Sequence, residues 1–60
     1  MERMLTEAEA AERLQVSVRT LADLRRSCEG PRWYDLGSGA KPLVRYRSSD
    51  LDEWLADRAK

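Results

Sequence analysis

The 60-residue chain is 42% hydrophobic and 37% charged, and its eleven basic residues balance eleven acidic ones. This composition suits one small globular domain over residues 1–60 better than a disordered tail. A chain this short buries only about 60% of the surface that it exposes when unfolded, so we expect no deep catalytic pocket and no enzyme. One Cys and no His exclude an internal disulfide and a Cys/His zinc site. The sequence has neither a long apolar run nor a basic-then-apolar leader, which predicts a cytoplasmic protein.

The first helix is predicted over residues 6–14. Thr6 can cap its N-terminus, and Glu9, three residues later, completes a capping box. On a helical wheel Ala10 and Ala11 share one face, and side chains this small allow another helix to approach closely.

A second helix is predicted after a break of about three residues, with Ser17 as its cap. Leu21 and Leu24 lie on its inner side, and Cys28 is expected to be a small buried or half-buried residue. Its outer face is predicted to carry Arg19, Ala22, Asp23 and Arg26, flanked by Val18 and Arg25. Two short helices in this order form a helix-turn-helix; a plain αα-hairpin with no ligand has the same local pattern and stays an alternative.

Two strand-like runs, residues 32–36 and 43–47, follow Gly30, whose left-handed conformation is predicted to end the second helix. The two runs are predicted to pair as a β-hairpin. In the second run the side chains alternate, so Val44 and Tyr46 are predicted to face the core and the arginines between and after them to face solvent.

The third helix is predicted to begin at Ser48 or Ser49 as its cap, and Leu51, Trp54 and Leu55 have the spacing of its apolar face. Its outward face is predicted to carry three acidic residues that form a candidate protein-interaction surface: Asp50, Glu53 and Asp57. Four aromatic residues are expected to belong to the core rather than to stack on bases: Trp33, Tyr34, Tyr46 and Trp54.

Charge is unevenly distributed along the chain. Residues 13–47 hold eight of the eleven basic residues and three of the eleven acidic ones, so a basic middle lies between two acidic ends. Nine of the eleven basic residues are Arg, whose planar group fits phosphates and the edge of guanine. This pattern favours nucleic-acid binding, although interspersed charges that only keep a small domain soluble stay an alternative.

Residues 5–11 (LTEAEAA) and 14–21 (LQVSVRTL) resemble the opening of the excisionase-type, MerR-like DNA-binding domains, which runs roughly Leu-Thr, Glu, Ala-Ala, Leu, Val-Ser, Arg-Thr-Leu. The wing and closing helix of the same family are similar to Gly30-Pro31, Tyr34, Leu36-Gly37, Val44-Arg45-Tyr46-Arg47, Asp50-Leu51 and Trp54-Leu55. The chain has Gln15 where the family often has Gly, which predicts a slightly different turn. It has Ala22 where the family often has a large residue, which predicts a different base preference, and its wing loop is a few residues longer.

The resemblance implies a fold of the α+β class, mainly α: a minimal winged helix-turn-helix, in which a two-stranded β-hairpin, the wing, precedes a C-terminal helix. It implies that the second helix enters the major groove of double-stranded DNA and that the wing contacts the adjacent backbone or minor groove. The implied contact residues of the second helix are Ser17, Val18, Arg19, Thr20, Ala22, Asp23, Arg25 and Arg26. Those of the wing are Arg32, Lys41, Arg45 and Arg47.

Free-standing members of this size include excisionases, which bind and bend attachment-site DNA so that a tyrosine integrase excises a phage or mobile element. The resemblance implies such an accessory factor in the cytoplasm of a bacterial host, associated with the nucleoid. A small MerR-like transcriptional regulator and a protein-interaction module built on the acidic third helix stay alternatives. Head-to-tail self-association, acidic end against basic middle, is a further hypothesis, and no membrane, metal, cofactor or small-molecule ligand is expected.

Overall fold

The computed structural model describes residues 3–59; residues 1, 2 and 60 of the predicted single domain lie outside this range. Within it, three helices and three strands follow one another in the order β1 (Met4–Thr6), α1 (Glu7–Leu14), α2 (Val18–Arg26), β2 (Tyr34–Asp35), β3 (Val44–Arg47) and α3 (Ser48–Arg58). No helix in the described range is long and apolar enough to cross a bilayer. The predicted helix-turn-helix, hairpin and closing helix are therefore present in the predicted order.

The sheet has three strands in the order β1-β3-β2, both pairs antiparallel, where a two-stranded hairpin was predicted. The additional strand, β1, pairs Leu5 with Tyr46 at the centre of β3. Three residues, the last of which is the helix cap Thr6, are too few to show an alternating pattern, which is why the sequence did not indicate this strand. By pairing with β3, β1 leaves β3 with a neighbour on each side.

The core lies where the inner face of the sheet meets the helices. Ala10 and Ala11 of α1, Leu21 of α2, Tyr46 of β3 and Leu51 of α3 are all between 0% and 1% exposed. The two alanines occupy the face predicted for them, and they let α2 approach α1 closely. One cluster therefore holds the three helices on the same face of the sheet.

The start of α1 matches the predicted capping box. The backbone N–H of Glu9 donates to the Thr6 hydroxyl at 3.1 Å, and the Glu9 carboxylate accepts from the Thr6 N–H at 2.9 Å. The bond from the Thr6 N–H to the Glu9 carboxylate lowers the pKa of Glu9 below its ordinary value. The first helix therefore begins where local chemistry predicts.

The end of α1 is a left-handed turn at Gln15, with φ 61°. The N–H of Gln15 donates to the Glu12 carbonyl at 3.1 Å and the N–H of Val16 donates to the Ala11 carbonyl at 3.0 Å, which is a Schellman motif. Gln15 thus takes the left-handed conformation that glycine adopts most easily. The geometry of this turn would also suit glycine, the residue that the resembled family often has at this position.

The end of α2 has the same motif, but the left-handed residue is Cys28, with φ 60°, and the prediction that Gly30 takes this conformation is wrong. The N–H of Cys28 donates to the Arg25 carbonyl at 3.2 Å. Gly30 serves a close approach instead, since a Cβ there would lie 3.0 Å from the Leu24 Cβ. Cys28 is exposed, contrary to prediction, because the chain leaves the helix at this residue.

The helix α3 begins directly at the end of β3, with Arg47 at the cap position and no side-chain cap, so the predicted serine caps are wrong. It docks on the loop after α2, where the Trp54 indole N–H and the Arg58 guanidinium both donate to the Glu29 carbonyl, at 3.1 and 3.2 Å. Leu55 is 42% exposed, so the apolar face of α3 is narrower than its spacing predicts. The bonds to the Glu29 carbonyl and the buried Leu51 side chain together hold α3 against the core.

Candidate nucleic-acid interface

The outer side of α2 is exposed to solvent along its whole length. Arg19, Thr20, Asp23 and Arg26 are all exposed there. At the N-terminus Ser17 caps the helix: its hydroxyl accepts from the Thr20 N–H at 3.0 Å and donates to the Thr20 hydroxyl at 2.8 Å. The first turn of α2 is therefore capped by a residue three positions away in the chain, and it presents the positive end of the helix dipole to solvent.

Two charged residues of this outer side form a loose pair, in which an Arg26 nitrogen lies 3.6 Å from an Asp23 carboxylate oxygen. Both side chains are more than half exposed, so the pair contributes little to stability. Within residues 3–59, Arg19 has no ion-pair partner. Arg19 is thus a guanidinium that is presented to solvent with no carboxylate of the described chain to hold it.

Arg25, in contrast, points to the inner side of α2. Its Nε donates to the Glu7 carboxylate at 2.8 Å, and the Tyr46 hydroxyl donates to the same carboxylate oxygen at 3.0 Å. The two charged side chains are only 18% and 19% exposed, and the guanidinium also lies over the Trp33 ring, 5.3 Å from its centroid. Arg25 therefore connects α1, α2, β3 and the start of the wing, and its side chain lies on the inner side of α2 rather than on the predicted flank of the outer face.

The electrostatics of this cluster follow from its geometry. Burial by itself would raise the pKa of Glu7, but hydrogen bonds from Arg25 and Tyr46 outweigh it, so the pKa of Glu7 lies below its ordinary value. Burial, followed by the bond to Glu7, raises the pKa of Tyr46 to about 12. The bond to Glu7 raises the pKa of Arg25. No sequence motif indicated this role of Glu7, since its partners Arg25 and Tyr46 lie 18 and 39 residues away in the chain.

Ala22 is 9% exposed and thus buried, so the prediction that it lies on the outer face is wrong. It lies one residue after the fully buried Leu21, on the flank that turns towards the core. A single methyl group that is 9% exposed offers little surface, and the contact of Ala22 with a base stays a prediction. Val18, one turn earlier, is 47% exposed and keeps an apolar surface at the start of the helix.

The wing has a short paired base and a longer loop over residues 36–43. The Asp35 carboxylate accepts from the N–H groups of Leu43 and Gly37, both at 3.0 Å, and these bonds lower its pKa. A Cβ on Gly37 would overlap the Lys41 carbonyl oxygen, so only glycine fits there. Lys41 is exposed near the tip of this closed loop, and it has no ion-pair partner in the part of the chain that the structure describes.

The remaining wing cations lie around one aromatic ring. The guanidinium groups of Arg32 and Arg47 lie 5.6 and 5.7 Å from the centroid of the Tyr34 ring. Arg45 is directly opposite Tyr34 in the neighbouring strand. Arg32 and Arg47 are exposed, and Arg45 is half-buried.

Asp50 was predicted to face outward, but it is 8% exposed. Its carboxylate accepts from the Tyr34 hydroxyl at 3.4 Å and lies 3.3 Å from the Arg47 Nε, so it belongs to the base of the wing. Glu53 and Asp57 are exposed on α3 as predicted. The acidic surface of α3 therefore keeps these two residues and loses Asp50.

The aromatic residues divide in a way that the sequence did not indicate. Tyr46 is fully buried, as predicted, whereas Trp33 is 36% exposed, contrary to prediction. Tyr34 and Trp54 are half-buried, and each contacts an arginine, with the Arg58 guanidinium 4.8 Å from the Trp54 centroid. These rings orient cations as well as filling space.

A two-helix unit with an exposed second helix, followed by a small sheet and a closing helix, can be compared with known families. A model of the helix-turn-helix domain family matches residues 4–59. The chain belongs to this helix-turn-helix family. The family binds DNA and includes excisionase-like proteins, and the membership supports sequence-specific binding of double-stranded DNA by a domain of a typically non-enzymatic kind. The predicted fold, consistent with a winged helix-turn-helix, is confirmed. No curated protein matches the chain.

Proposed function

We propose that this helix-turn-helix protein is an excisionase, an accessory factor that binds and bends attachment-site DNA and so directs a tyrosine integrase towards excision. The observation that carries the DNA contact is the outer side of α2, where Arg19 is exposed without an ion-pair partner in residues 3–59 while Arg25 fixes the opposite side to the core. A rigidly held helix with an unneutralised arginine at its first turn suits the major groove.

In the proposed complex the N-terminal half of α2 contacts base edges. Arg19 donates two hydrogen bonds to a guanine, and the exposed methyl groups of Val18 contact a thymine methyl. The hydroxyls of Ser17 and Thr20 and the N–H groups of the first turn bind a phosphate, because helix N-termini favour anions. Arg26 contacts the backbone two turns on, with Asp23 beside it either as its partner or as an acceptor from a cytosine amine.

The wing provides a second set of proposed DNA contacts. Lys41 lies near the tip of a loop that Asp35 closes and Gly37 permits, and this loop contacts the backbone or minor groove next to the site of α2. Contacts on both sides of a groove favour a bent duplex, because the bend brings more phosphates to the protein. We place this activity in the cytoplasm of a bacterial host, on nucleoid DNA.

The exposed acidic residues of α3, Glu53 and Asp57, are the proposed contact for a protein partner. That partner is the integrase or a neighbouring copy that packs head to tail on a direct repeat, with its basic middle against this acidic surface. Within residues 3–59 neither side chain makes a hydrogen bond or an ion pair, so both can contact a partner without loss of the core.

The first test is DNase I footprinting on candidate attachment-site DNA, with and without a tyrosine integrase, using the wild-type protein and Arg19→Gln. Loss of a bidentate guanine contact is expected to reduce discrimination by about 1–3 kcal/mol. Arg58→Gln, a change on α3, is the control for loss of one charge away from α2. It removes one of the two bonds to the Glu29 carbonyl, so thermal melting checks that the variant is folded, and it is expected to leave the footprint unchanged. Protection of direct repeats in the attachment site, extended when integrase is added, supports the excisionase role.

Two other results contradict this proposal in different ways. A footprint that overlaps a promoter and ignores the integrase favours a transcriptional regulator of the same fold. A binding constant that does not change with salt concentration argues against DNA binding altogether, because each neutralised phosphate contributes a slope of about −0.9 to the log–log plot.

A further inference from the structure

The sheet has an outer face that is directed away from the hydrophobic core, and the first turn of α3 contacts it at one edge through Asp50. Residues directly opposite one another in antiparallel strands project to the same face, so Tyr34 and Arg45 share one face and Leu5 and Tyr46 share the other. Leu5 and Tyr46 belong to the core cluster that holds the helices. The face that carries Tyr34 and Arg45 is therefore directed away from that core.

We call this surface the outer sheet face, and its members are Arg32, Tyr34, Arg45 and Arg47. Arg47 lies two residues after Arg45 in β3 and therefore projects to the same side. Arg32 reaches this side because its guanidinium lies over the Tyr34 ring. Three guanidinium groups thus surround a single half-buried ring.

The groups on this face are held in place rather than loosely distributed. The Tyr34 ring contacts two guanidinium groups, and its hydroxyl donates to the buried Asp50 carboxylate, which also pairs with Arg47. Cation–π contacts favour guanidinium groups that stay against the ring. Part of the side-chain conformational entropy that would be lost on binding a ligand is therefore already lost in the free protein.

Carboxylates of residues 3–59 cancel only part of the charge on this face. Asp50 is 8% exposed and neutralises Arg47, while Glu9 is bound by the Thr6 N–H and by Arg3, whose nitrogen lies 3.2 Å away. Arg32 and Arg45 have no carboxylate of the described residues within ion-pair distance. Arginine guanidiniums on a fixed surface match the phosphates of a nucleic-acid backbone. Because Tyr34 already contacts two arginines, the surface is suited to phosphates and not to stacking on bases.

We propose that the outer sheet face is a second phosphate-binding surface, which takes the backbone of a DNA duplex without regard to sequence and lies apart from the outer side of α2. α2 is joined to the inner face of the sheet through Arg25, Glu7 and Tyr46. A duplex in contact with the outer side of α2 therefore leaves the outer sheet face open to another duplex segment. The inference rests on the proposed DNA binding by α2 and extends it, since one domain then brings two segments together.

The test uses native mass spectrometry of the protein with a 12-bp duplex of random sequence at about 0.1 M salt, where each phosphate contact is worth roughly eightfold in affinity. The double variant Arg32→Gln/Arg45→Gln removes two of the proposed contacts, and Arg19→Gln is the matched variant on α2. Arg47 is left intact because its loss would leave the buried Asp50 carboxylate without its cation. Thermal melting checks that each variant is folded.

We expect one wild-type protein to bind two duplexes. The double variant should keep its affinity for the first duplex within about twofold and lose about 60-fold for the second, as two phosphate contacts predict. Arg19→Gln should weaken the first binding step. Energy transfer between dyes on two separate duplexes, compared with dyes at the two ends of one long duplex, then distinguishes a second DNA molecule from a distant part of the same one.

Three results overturn the inference while the proposed function stands: only one duplex bound by the wild type, two duplexes bound only by two proteins, or a double variant that loses the first duplex as strongly as Arg19→Gln does. The last result would place the outer sheet face and α2 on the same backbone. A wild-type protein that binds no duplex at all contradicts the proposed function itself, and the inference with it.

Discussion

Arg25 and Arg26 are neighbours in the chain, yet they lie on two sides of α2 with different physical roles. Arg25 is 18% exposed and bonded to Glu7 at 2.8 Å, whereas Arg26 is 71% exposed with Asp23 at 3.6 Å. On the inner side, Arg25 makes short charge-assisted hydrogen bonds in place of bonds to water. On the outer side, Arg26 stays hydrated until a ligand replaces the water. A count of arginines on a helix therefore overstates its DNA-binding surface whenever one of them faces a half-buried carboxylate.

The largest expected effect separates these two neighbours. Arg25→Ala should lower the free energy of unfolding by about 2–3 kcal/mol, because it leaves the Glu7 carboxylate half-buried without its cation. Arg26→Ala should change the same quantity by less than about 0.5 kcal/mol. Urea unfolding followed by circular dichroism measures both, and equal losses in the two variants would contradict the division of α2 into an inner and an outer side.

DNA affinity, measured where both variants are folded, should show the reverse order. Arg26→Ala removes a proposed backbone contact, whereas Arg25→Lys keeps the charge of the inner side and should bind DNA as the wild type does. A loss of affinity in the folded Arg25→Lys variant that matches the loss in Arg26→Ala would show that Arg25 contacts DNA after all.

The pH dependence of stability sharpens the comparison, because Glu7 and Tyr46 on the inner side have displaced pKa values. The pKa of Glu7 is lower in the folded protein than its ordinary 4.5, so its contribution is complete above pH 4.5 and is lost as the pH falls through the folded value. The pKa of Tyr46 is raised from 10.0 to about 12, so its contribution is complete below pH 10 and is lost as the pH rises through 12.

Unfolding free energies measured across both ranges test these signs. Glu7→Gln should remove part of the decline on the acid side, and Tyr46→Phe should remove the decline on the alkaline side. Glu9 and Asp35 also have lowered pKa values and titrate on the acid side, so the relevant quantity is the difference between the wild type and each variant. Curves that run parallel for wild type and Glu7→Gln between pH 5 and pH 3 would argue against the cluster.

The smallest expected effect concerns the turn that determines how α2 leaves α1. Gln15→Gly should raise the free energy of unfolding by about 0.5 kcal/mol, because relief of roughly 1–2 kcal/mol of left-handed strain exceeds the entropy cost of glycine together with the loss of the exposed side-chain bond to the Glu12 carbonyl. Gln15→Ala is the matched control: it keeps the strain, loses the side-chain bond to the Glu12 carbonyl and should destabilise. Thermal unfolding resolves the two, and a destabilised glycine variant would contradict the argument from strain.

The parts of the fold that were predicted depend on residues close together in the chain. The capping box of Thr6 and Glu9, the Ser17 cap and the buried faces of α1 and α2 are set by partners within about four residues, and the structure has each of them. The Gly30 cap failed although it is also local, because glycine permits a left-handed turn without requiring one. Cys28 takes that conformation at a cost that the Leu24 and Arg25 carbonyl bonds offset.

The candidate site was predicted less completely than the helices were. Arg19, Asp23 and Arg26 lie outward as expected, since helical periodicity alone places them. Ala22 and Asp50 do not, because a small side chain and a carboxylate are both covered when a neighbouring element packs against them.

The sequence by itself determined three helices, the turn between the first two and a strand rich in arginine, because hydrogen bonds and side-chain periodicity along a short stretch of chain decide these features. Only the tertiary structure decided which arginines have carboxylate partners, that a third strand lies beside β3, and that the sheet keeps an arginine-rich face away from the helices. Those outcomes depend on groups that are as many as 39 residues apart in the chain and that only the fold brings into contact. A local sequence pattern cannot predict such contacts.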